Sequence, residues 1–128
     1  MRLRGIRGAT TVQKNDSDEI LKATKELLEE IIRWNHIEPE HIASVFITVT
    51  GDITATFPAR AIRKMEGWQY VPLMCSQEIP VLNSLPKCIR LMIMAYTDLT
   101  QIEVNHAYLG EATILRPDLV NPLKNDIE

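Results

Sequence analysis

One apolar segment constrains the fold of this chain more than any other. It runs from Lys87 to Asp98, directly after Pro86, and its sequence is KCIRLMIMAYTD. An apolar run of this length, bounded by proline and by polar residues, is typical of a buried β-strand. Alternation with a period of two divides it into two faces. One face carries Arg90, Met92, Met94 and Tyr96, and the other carries Ile89, Leu91, Ile93 and Ala95.

Arg90 does not fit a buried strand. A guanidinium is seldom buried without an anionic partner, because losing water around a charge is costly. In one interpretation a protein carboxylate or an anionic ligand meets Arg90. In the other, Arg90 lies near the strand end and extends its charged group to water. The segment alone leaves both interpretations open.

Composition excludes several classes of function. A chain of 128 residues is predicted to form one domain, and its net charge of −3 argues against nucleic-acid binding. Cys75 and Cys88 form no CxxC pair, and His36 and His41 have no third ligand nearby, so we expect no metal site and no cofactor. The N-terminal sequence lacks the apolar core of a signal peptide, and no apolar run reaches about 18 residues. We therefore expect a cytoplasmic protein without a membrane segment.

The sequence predicts two helices. The first spans Asp16 to about Asn35, with Asp16 as N-cap and Glu19 at the spacing of a capping box. The second spans Pro58 to Met65 and ends before Gly67. The remaining strand predictions are Leu3 to Arg7, Ile42 to Thr50, Tyr70 to Cys75, and a hairpin of Asn105 to Leu109 with Ala112 to Leu115.

This order of elements predicts an α+β (α/β layered) domain. A mixed sheet would carry the helices on one face, so we expect another subunit to cover apolar strands that lack a second helical layer. Pro72 places its strand at a sheet edge or a bulge. We assign residues 1–117 to the domain and residues 118–128 to a flexible C-terminal tail.

Three further arginines are candidates for a site. Arg7 lies between Gly5 and Gly8, a spacing that often marks close approach of a ligand. Arg60 and Arg63 lie one turn apart near a helix N-terminus, a position that favours anions. Each also has a simpler interpretation, as a solvated strand end or a basic helix face. Glu78 is either a ligand contact or the structural counter-ion of Arg90.

Six segments together carry a resemblance to a known family. They are RGIRGATT, FPARAIR, GWQYVPLMCSQE, KCIR, HAYLGEA and LRPDL, and they cover most of the length in matching order. The chain thereby resembles chorismate mutases of the AroH class, the small trimeric α/β type. The resemblance implies a homotrimer with a barrel-like sheet core and active sites between subunits. It also implies the Claisen rearrangement of chorismate to prephenate, a step toward phenylalanine and tyrosine.

The resemblance also implies roles for individual residues. Arg90 would bind the ether oxygen and a carboxylate of the substrate, and Arg7 and Tyr108 would hold the other carboxylate region. Glu78 and Cys75 would meet the ring hydroxyl. The implied substrate-binding positions are Phe57, Ala59, Arg60, Arg63, Leu73, Met74, Ser76, Gln77, Leu115 and Arg116. Position 60 carries arginine where the family pattern has lysine, so its contact geometry is not equivalent.

The implied reaction transfers no proton, so we expect neither covalent nor acid–base catalysis. Negative charge accumulates on the ether oxygen, and a fixed guanidinium there stabilises the transition state more than the ground state. Two alternatives remain. One is a YjgF-like imine deaminase, which has a related trimeric architecture, and the other is a non-catalytic trimeric domain that binds an anionic metabolite.

Overall fold

A computed structural model describes residues 1–116 of the chain. The predicted C-terminal tail, residues 118–128, and the last residue of the predicted domain lie outside this described part. The described residues contain five strands, two α-helices and two short 3₁₀ helices. They are β1 (Arg2–Thr11), α1 (Ser17–Asn35), a 3₁₀ helix (Pro39–His41), β2 (Ile42–Val49), α2 (Ala59–Arg63), β3 (Leu73–Gln77), β4 (Cys88–Thr97), β5 (Ala107–Tyr108) and a second 3₁₀ helix (Gly110–Ile114).

The five strands form one mixed sheet in the order β3-β2-β4-β1-β5. The predicted strand around Arg90 is β4, which lies at the centre and pairs antiparallel with both β1 and β2. The two outer pairs, β2 with β3 and β1 with β5, are parallel. The strand after Pro72 lies at the sheet edge, as the proline predicts, but it spans Leu73–Gln77 and leaves Tyr70 exposed.

Helix α1 begins where its sequence predicts. Asp16 has extended backbone angles, and its carboxylate accepts a hydrogen bond from the Glu19 amide at 3.0 Å. The Glu19 carboxylate accepts a hydrogen bond from the Gln13 amide at 2.6 Å. The reciprocal bond of a capping box is therefore made to Gln13 and not to the Asp16 amide. The helix ends at His36, whose left-handed conformation allows its amide to bond the Ile32 carbonyl.

The two faces of the sheet differ in what covers them. On one face, apolar side chains of α1 and α2 pack against β1, β2 and β4 and form the core. Its fully buried members include Ile6, Ile20, Leu27, Leu28, Ile31, Ile47, Ile62, Ile89 and Ile93. The predicted layered α+β fold with helices on one face is therefore confirmed for residues 1–116.

The second face has no covering layer within the described residues. It exposes a row of large apolar side chains, which we call the open face: Leu3, Phe46, Met74, Met92 and Tyr96. The alternation predicted for β4 is confirmed, because Arg90, Met92 and Tyr96 are exposed while Ile89, Leu91 and Ile93 are buried. Within the single chain, the predicted burial of β4 therefore holds for one face of the strand only.

The predicted C-terminal hairpin is also wrong. Its first arm is reduced to the two residues of β5, which pair in parallel with Gly8 and Ala9 of β1. At Gly110 the backbone adopts a left-handed φ of 58° and continues into a 3₁₀ helix. The Glu111 amide then donates to the Thr11 hydroxyl at 3.1 Å, so this turn attaches to β1 instead of starting a return strand.

Two buried asparagines attach the segment before β5 to the end of α1. The Asn35 side chain donates to the Asn105 carbonyl at 2.8 Å and accepts from the Asn105 amide at 2.8 Å. The Asn105 side chain donates to the Trp34 carbonyl at 2.9 Å. These bonds satisfy buried polar groups and fix where the chain approaches β1.

We predict that Asn35→Ala lowers the free energy of unfolding by about 1–3 kcal/mol, because it leaves the buried Asn105 backbone groups without partners. Urea denaturation monitored by circular dichroism measures this change. Lys25→Ala on the exposed side of the same helix is the control, and its effect should stay within about 0.5 kcal/mol. Equal unfolding midpoints for the two variants would contradict the structural role of Asn35.

Candidate active site

Arg90 forms an ion pair with Glu78 on the open face. Its Nε lies 3.2 Å from Glu78 Oε1, with 46% of the Arg90 side chain and 17% of the Glu78 side chain exposed. The Thr48 hydroxyl donates to the other Glu78 oxygen at 3.1 Å. Thr48 and Arg90 are direct neighbours across β2 and β4, which explains why both reach the same carboxylate. Glu78 is therefore the counter-ion of Arg90 in the single chain, which is one of the two roles that the sequence leaves open for it.

The start of β4 is held by a carboxylate on the loop after β2. Asp52 accepts from the Lys87 amide with both oxygens, at 2.9 and 3.1 Å, and Lys87 has a left-handed φ of 47°. The Thr50 hydroxyl donates to Asp52 at 2.5 Å and accepts from the Cys88 amide at 2.9 Å. Slight burial raises the pKa of Asp52, but the hydrogen bonds from Thr50 and Lys87 outweigh it and lower the pKa below its usual value.

A cavity of about 300 Å³ opens beside the ion pair, and we call it the arginine cavity. Arg7 and Arg90 supply its cationic groups, and Tyr108 supplies a phenol from β5. Tyr108 is buried against Ala9 and Ala112, and Leu115 packs on this cluster. Three predicted catalytic residues thus share one cavity, with Glu78 bonded at its edge.

A second cavity, of about 500 Å³, lies between the ends of β2 and β3 and the loop before α2. We call it the Phe57 cavity. Its predicted site residues are Phe57, Arg60, Cys75, Ser76 and Gln77. Phe57 is 69% exposed, which is unusual for an aromatic side chain in a monomer. The Arg60 guanidinium donates to the Thr56 hydroxyl at 2.9 Å.

Cys75 does not join Arg90 within one chain. Cys75 pairs with Ile47, and Ile47 pairs with Leu91, so all three point to the helix-covered face. Arg90 belongs to the opposite register and points to the open face. The implied placement of Cys75 and Arg90 around one substrate is therefore not met inside a single chain. The two predicted halves of the site occupy different cavities.

The other predicted binding residues line neither cavity. Ala59 is buried in the core, Arg63 is exposed, and Leu73 is half-buried against the core. Met74 is exposed and is aligned with Phe46 on the open face. Arg116, the last described residue, is exposed.

Two buried or half-buried titratable groups lie beside residues of the arginine cavity, Cys88 next to Arg90 and His106 next to Arg7. Burial raises the pKa of the Cys88 thiol above its usual value, and neighbouring Arg90 only partly offsets this effect. Burial, together with the charges of Arg7 and Arg116, lowers the pKa of His106. Both groups are therefore neutral near pH 7. Among residues 1–116, no three His, Cys, Asp or Glu side chains are arranged to bind a metal ion.

No helix within residues 1–116 combines the length and the apolar character needed to cross a membrane.

Comparison with known proteins identifies the family. The model of the family described as chorismate mutase type I matches residues 3–119. The chain belongs to this family. It is 50% identical to chorismate mutase AroH of Bacillus subtilis (strain 168) over 119 residues, which cover 93% of this chain and 94% of that protein. It is 47% identical to chorismate mutase AroH of Thermus thermophilus over 118 residues, which cover 91% of this chain and 96% of that protein.

A solved structure agrees with this assignment. The fold matches a chorismate mutase from Clostridium thermocellum with a TM-score of 0.84 and 46% sequence identity, covering 86% of this chain and 97% of that one. The expected family and the expected activity, isomerisation of chorismate to prephenate, are thus confirmed. These matches do not favour the imine deaminase alternative.

Two residues that shape the candidate site were missed by the sequence analysis. Thr48 orients Glu78, but only the register between β2 and β4 reveals this. Asn15 accepts from the Thr54 and Ala55 amides at 2.9 and 3.0 Å and so holds the loop that lines the Phe57 cavity. An asparagine between a strand and a helix cap is an ordinary loop residue in sequence, and no local pattern marks its partner 39 residues away.

We predict that Thr48→Val lowers kcat/KM about three- to tenfold, because Glu78 loses a hydrogen bond that orients it toward Arg90. Steady-state assays that follow the loss of chorismate absorbance measure the change. Thr100→Val makes the same substitution at an exposed position beyond the far end of β4 and should have no effect. Unchanged kinetics in Thr48→Val would show that Glu78 does not depend on this bond.

Proposed function

We propose that this chorismate mutase works as a homotrimer with each active site assembled from two chains. One chain would supply the arginine cavity, and its neighbour would supply the Phe57 cavity. The observation that carries the proposal is the position of Arg90, Arg7 and Tyr108 in one cavity while Cys75 and Phe57 line another. That the two groups line separate cavities of one chain supports a site that a second chain completes.

The open face supports this assembly. It exposes Phe46, Met74, Met92 and Tyr96 at 38–64% of their surface on adjacent strands. A contiguous apolar patch of this kind is typical of a protein interface, since leaving it in water is unfavourable. Packing three such faces together would form a barrel-like core of sheets. The arginine cavity includes Phe46 and Met92, so it would lie where the open face meets its neighbour.

In this proposal Arg90 is the principal catalytic residue. The breaking C–O bond of chorismate places negative charge on the ether oxygen, and the Arg90 guanidinium would donate hydrogen bonds to it. Because that charge is larger in the transition state than in the substrate, the interaction lowers the barrier. Its ion pair with Glu78 fixes the guanidinium before the substrate arrives, so little reorganisation is needed during the reaction.

The remaining residues would bind and orient the substrate. Chorismate is a dianion, and Arg7 and Tyr108 would hold one carboxylate region while Arg90 contacts the other. Fixing both ends favours the compact conformer in which the reacting carbons meet. Glu78 would accept a hydrogen bond from the ring hydroxyl, and Cys75 of the neighbouring chain would lie on the other side of that hydroxyl.

The Phe57 cavity would then complete the enclosure. Phe57, Arg60, Ser76 and Gln77 of this cavity would come from the neighbouring chain. Leu115, which packs against the Tyr108 cluster, would close the side nearest β5, and Arg116 would lie at the entrance. Enclosure removes water, and in a water-poor site the attraction between guanidinium and oxyanion is stronger.

We predict that Arg90→Lys lowers kcat at least about 100-fold although the positive charge remains. A lysine ammonium is a single point charge without the forked donors of arginine, and loss of one preorganised donor costs roughly 10²–10³ in rate. Single-turnover measurements with excess enzyme separate this effect from weaker binding. Arg33→Lys, an equally conservative change at an exposed arginine of α1, is the matched control. Near-normal kcat in Arg90→Lys would remove Arg90 from the mechanism.

A complementation experiment tests the composite site. Arg90→Ala disables one half, and Phe57→Glu disables the other by placing a carboxylate where the dianion would bind. Each variant alone should be inactive. If equal amounts are unfolded and refolded together, random assembly in a cyclic trimer leaves about one quarter of the interfaces with two intact halves. We therefore expect about one quarter of wild-type activity in the mixture.

The outcome separates two architectures. If each active site lay within a single chain, mixing the two variants would restore no activity, and the composite site would be excluded. Mixing the two variants after separate refolding, without exchange, is the control and should also show none. An anionic-metabolite sensor, the non-catalytic alternative, would show no turnover even in the wild-type protein.

A further inference from the structure

His106 makes an unusual contact with the backbone of a proposed substrate-binding residue. Its Nδ1 atom accepts a hydrogen bond from the Arg7 amide at 2.9 Å, across 99 residues of sequence. Because the amide can only donate, Nδ1 must carry no proton, which requires a neutral ring protonated on Nε2. The ring is half-buried, so water replaces this bond poorly if it is lost.

This contact lengthens a very short strand pairing. Strand β5 has only two residues, which pair with Gly8 and Ala9 of β1, and the Leu109 amide adds a bond of 2.8 Å to the Ala9 carbonyl. The imidazole of His106 extends the connection by one residue, to Arg7. The β1–β5 connection therefore includes Arg7 and Tyr108 themselves, and both of these residues line the arginine cavity.

We propose that His106 is a positioning residue that holds Arg7 and Tyr108 in their mutual register through its unprotonated Nδ1. The inference rests on the proposed function, in which these two residues bind one end of the substrate. His106 itself does not line the arginine cavity. The preceding residue, Asn105, is already attached to α1 by its bonds with Asn35. The His106 bond therefore acts on the contact between this segment and β1.

Protonation of His106 would break this arrangement. Burial lowers the pKa of His106 below its usual value of 6.5, and the nearby charges of Arg7 on β1 and Arg116 after the second 3₁₀ helix lower it further. The neutral ring is therefore favoured in the folded state. Its stabilising contribution is complete above pH 6.5 and is lost as pH falls toward the lowered pKa. Turnover should be constant from neutral to alkaline pH and should fall in mild acid.

Two substitutions separate the role of His106 as a hydrogen-bond acceptor from the effect of its protonation. His106→Asn places an amide oxygen near the position of Nδ1 but cannot gain a proton, whereas His106→Ala removes the acceptor. We expect His106→Ala to raise KM and lower kcat/KM about two- to tenfold at neutral and alkaline pH, and the difference from wild type should narrow in mild acid, where the wild-type bond is also lost. His106→Asn should retain most of the neutral-pH activity and should lose the fall in mild acid. His36→Asn, at an exposed left-handed position, is the control and should keep the wild-type pH profile.

The measurements are kcat and KM of the full-length protein with chorismate from pH 5 to 9, together with thermal unfolding of every variant. Wild-type kinetics in His106→Ala, or a wild-type acid limb in His106→Asn, would overturn the inference. If His106→Ala fails to fold, the His106→Asn profile still decides between these results. An NMR titration should also place the His106 pKa below its usual value of 6.5, and a pKa at or above that value would count against the inference.

Arg7→Ala, measured alongside, distinguishes failure of this inference from failure of the proposed function. A raised KM in Arg7→Ala with normal His106→Ala kinetics would remove only the positioning role. Unchanged kinetics in Arg7→Ala would remove the proposed role of Arg7 in binding substrate, whatever His106 does.

Discussion

The structure depends on the alternation of side chains along β4. Every second residue of this central strand packs under the helices, and the residues between them, beginning with Arg90, point to the opposite face. The core therefore fixes the backbone from which the Arg90 guanidinium projects. Any slip of one residue would exchange the two faces, burying Arg90 and exposing Ile89, so the hydrophobic effect itself enforces the register of the site.

The ion pair on that face is weak in the isolated chain. Almost half of the Arg90 side chain is exposed, and exposed pairs contribute little to stability because water and salt screen them. Its value lies in orientation, since Glu78 holds the guanidinium with one carboxylate oxygen while the Thr48 hydroxyl fixes the other oxygen of that carboxylate. In the proposed trimer a neighbouring chain would exclude water from this face. The same pair would then act in a less polar surrounding, where its interaction with a developing oxyanion is stronger.

Local sequence patterns predicted much of this fold, and their failures have physical causes. The Asp16 cap, the apolar stripe of α1 and the alternation in β4 depend on neighbouring residues, so they could be predicted. The supposed hairpin failed because Thr11, about 100 residues away, binds the turn at Glu111 and leads the chain into a 3₁₀ helix. The separation of Cys75 from Arg90 was missed for a similar reason, because it depends on the pairing register of the strands and not on distance along the sequence. The resemblance supplied the site residues, but it could not tell which of them one chain brings together.

The chemistry explains why a site divided between chains is sufficient. A Claisen rearrangement moves no proton and forms no covalent bond to the protein, so no nucleophile needs to be aligned with a base inside one subunit. What the reaction needs is a substrate held at both ends and a fixed positive charge at the breaking bond, and two rigid surfaces can provide these from opposite sides. Chorismate bound across such a boundary also stabilises the assembly, because it binds the assembled form and not the separated chains. In the proposed trimer, substrate binding and trimer stability would thus be linked by the same contacts.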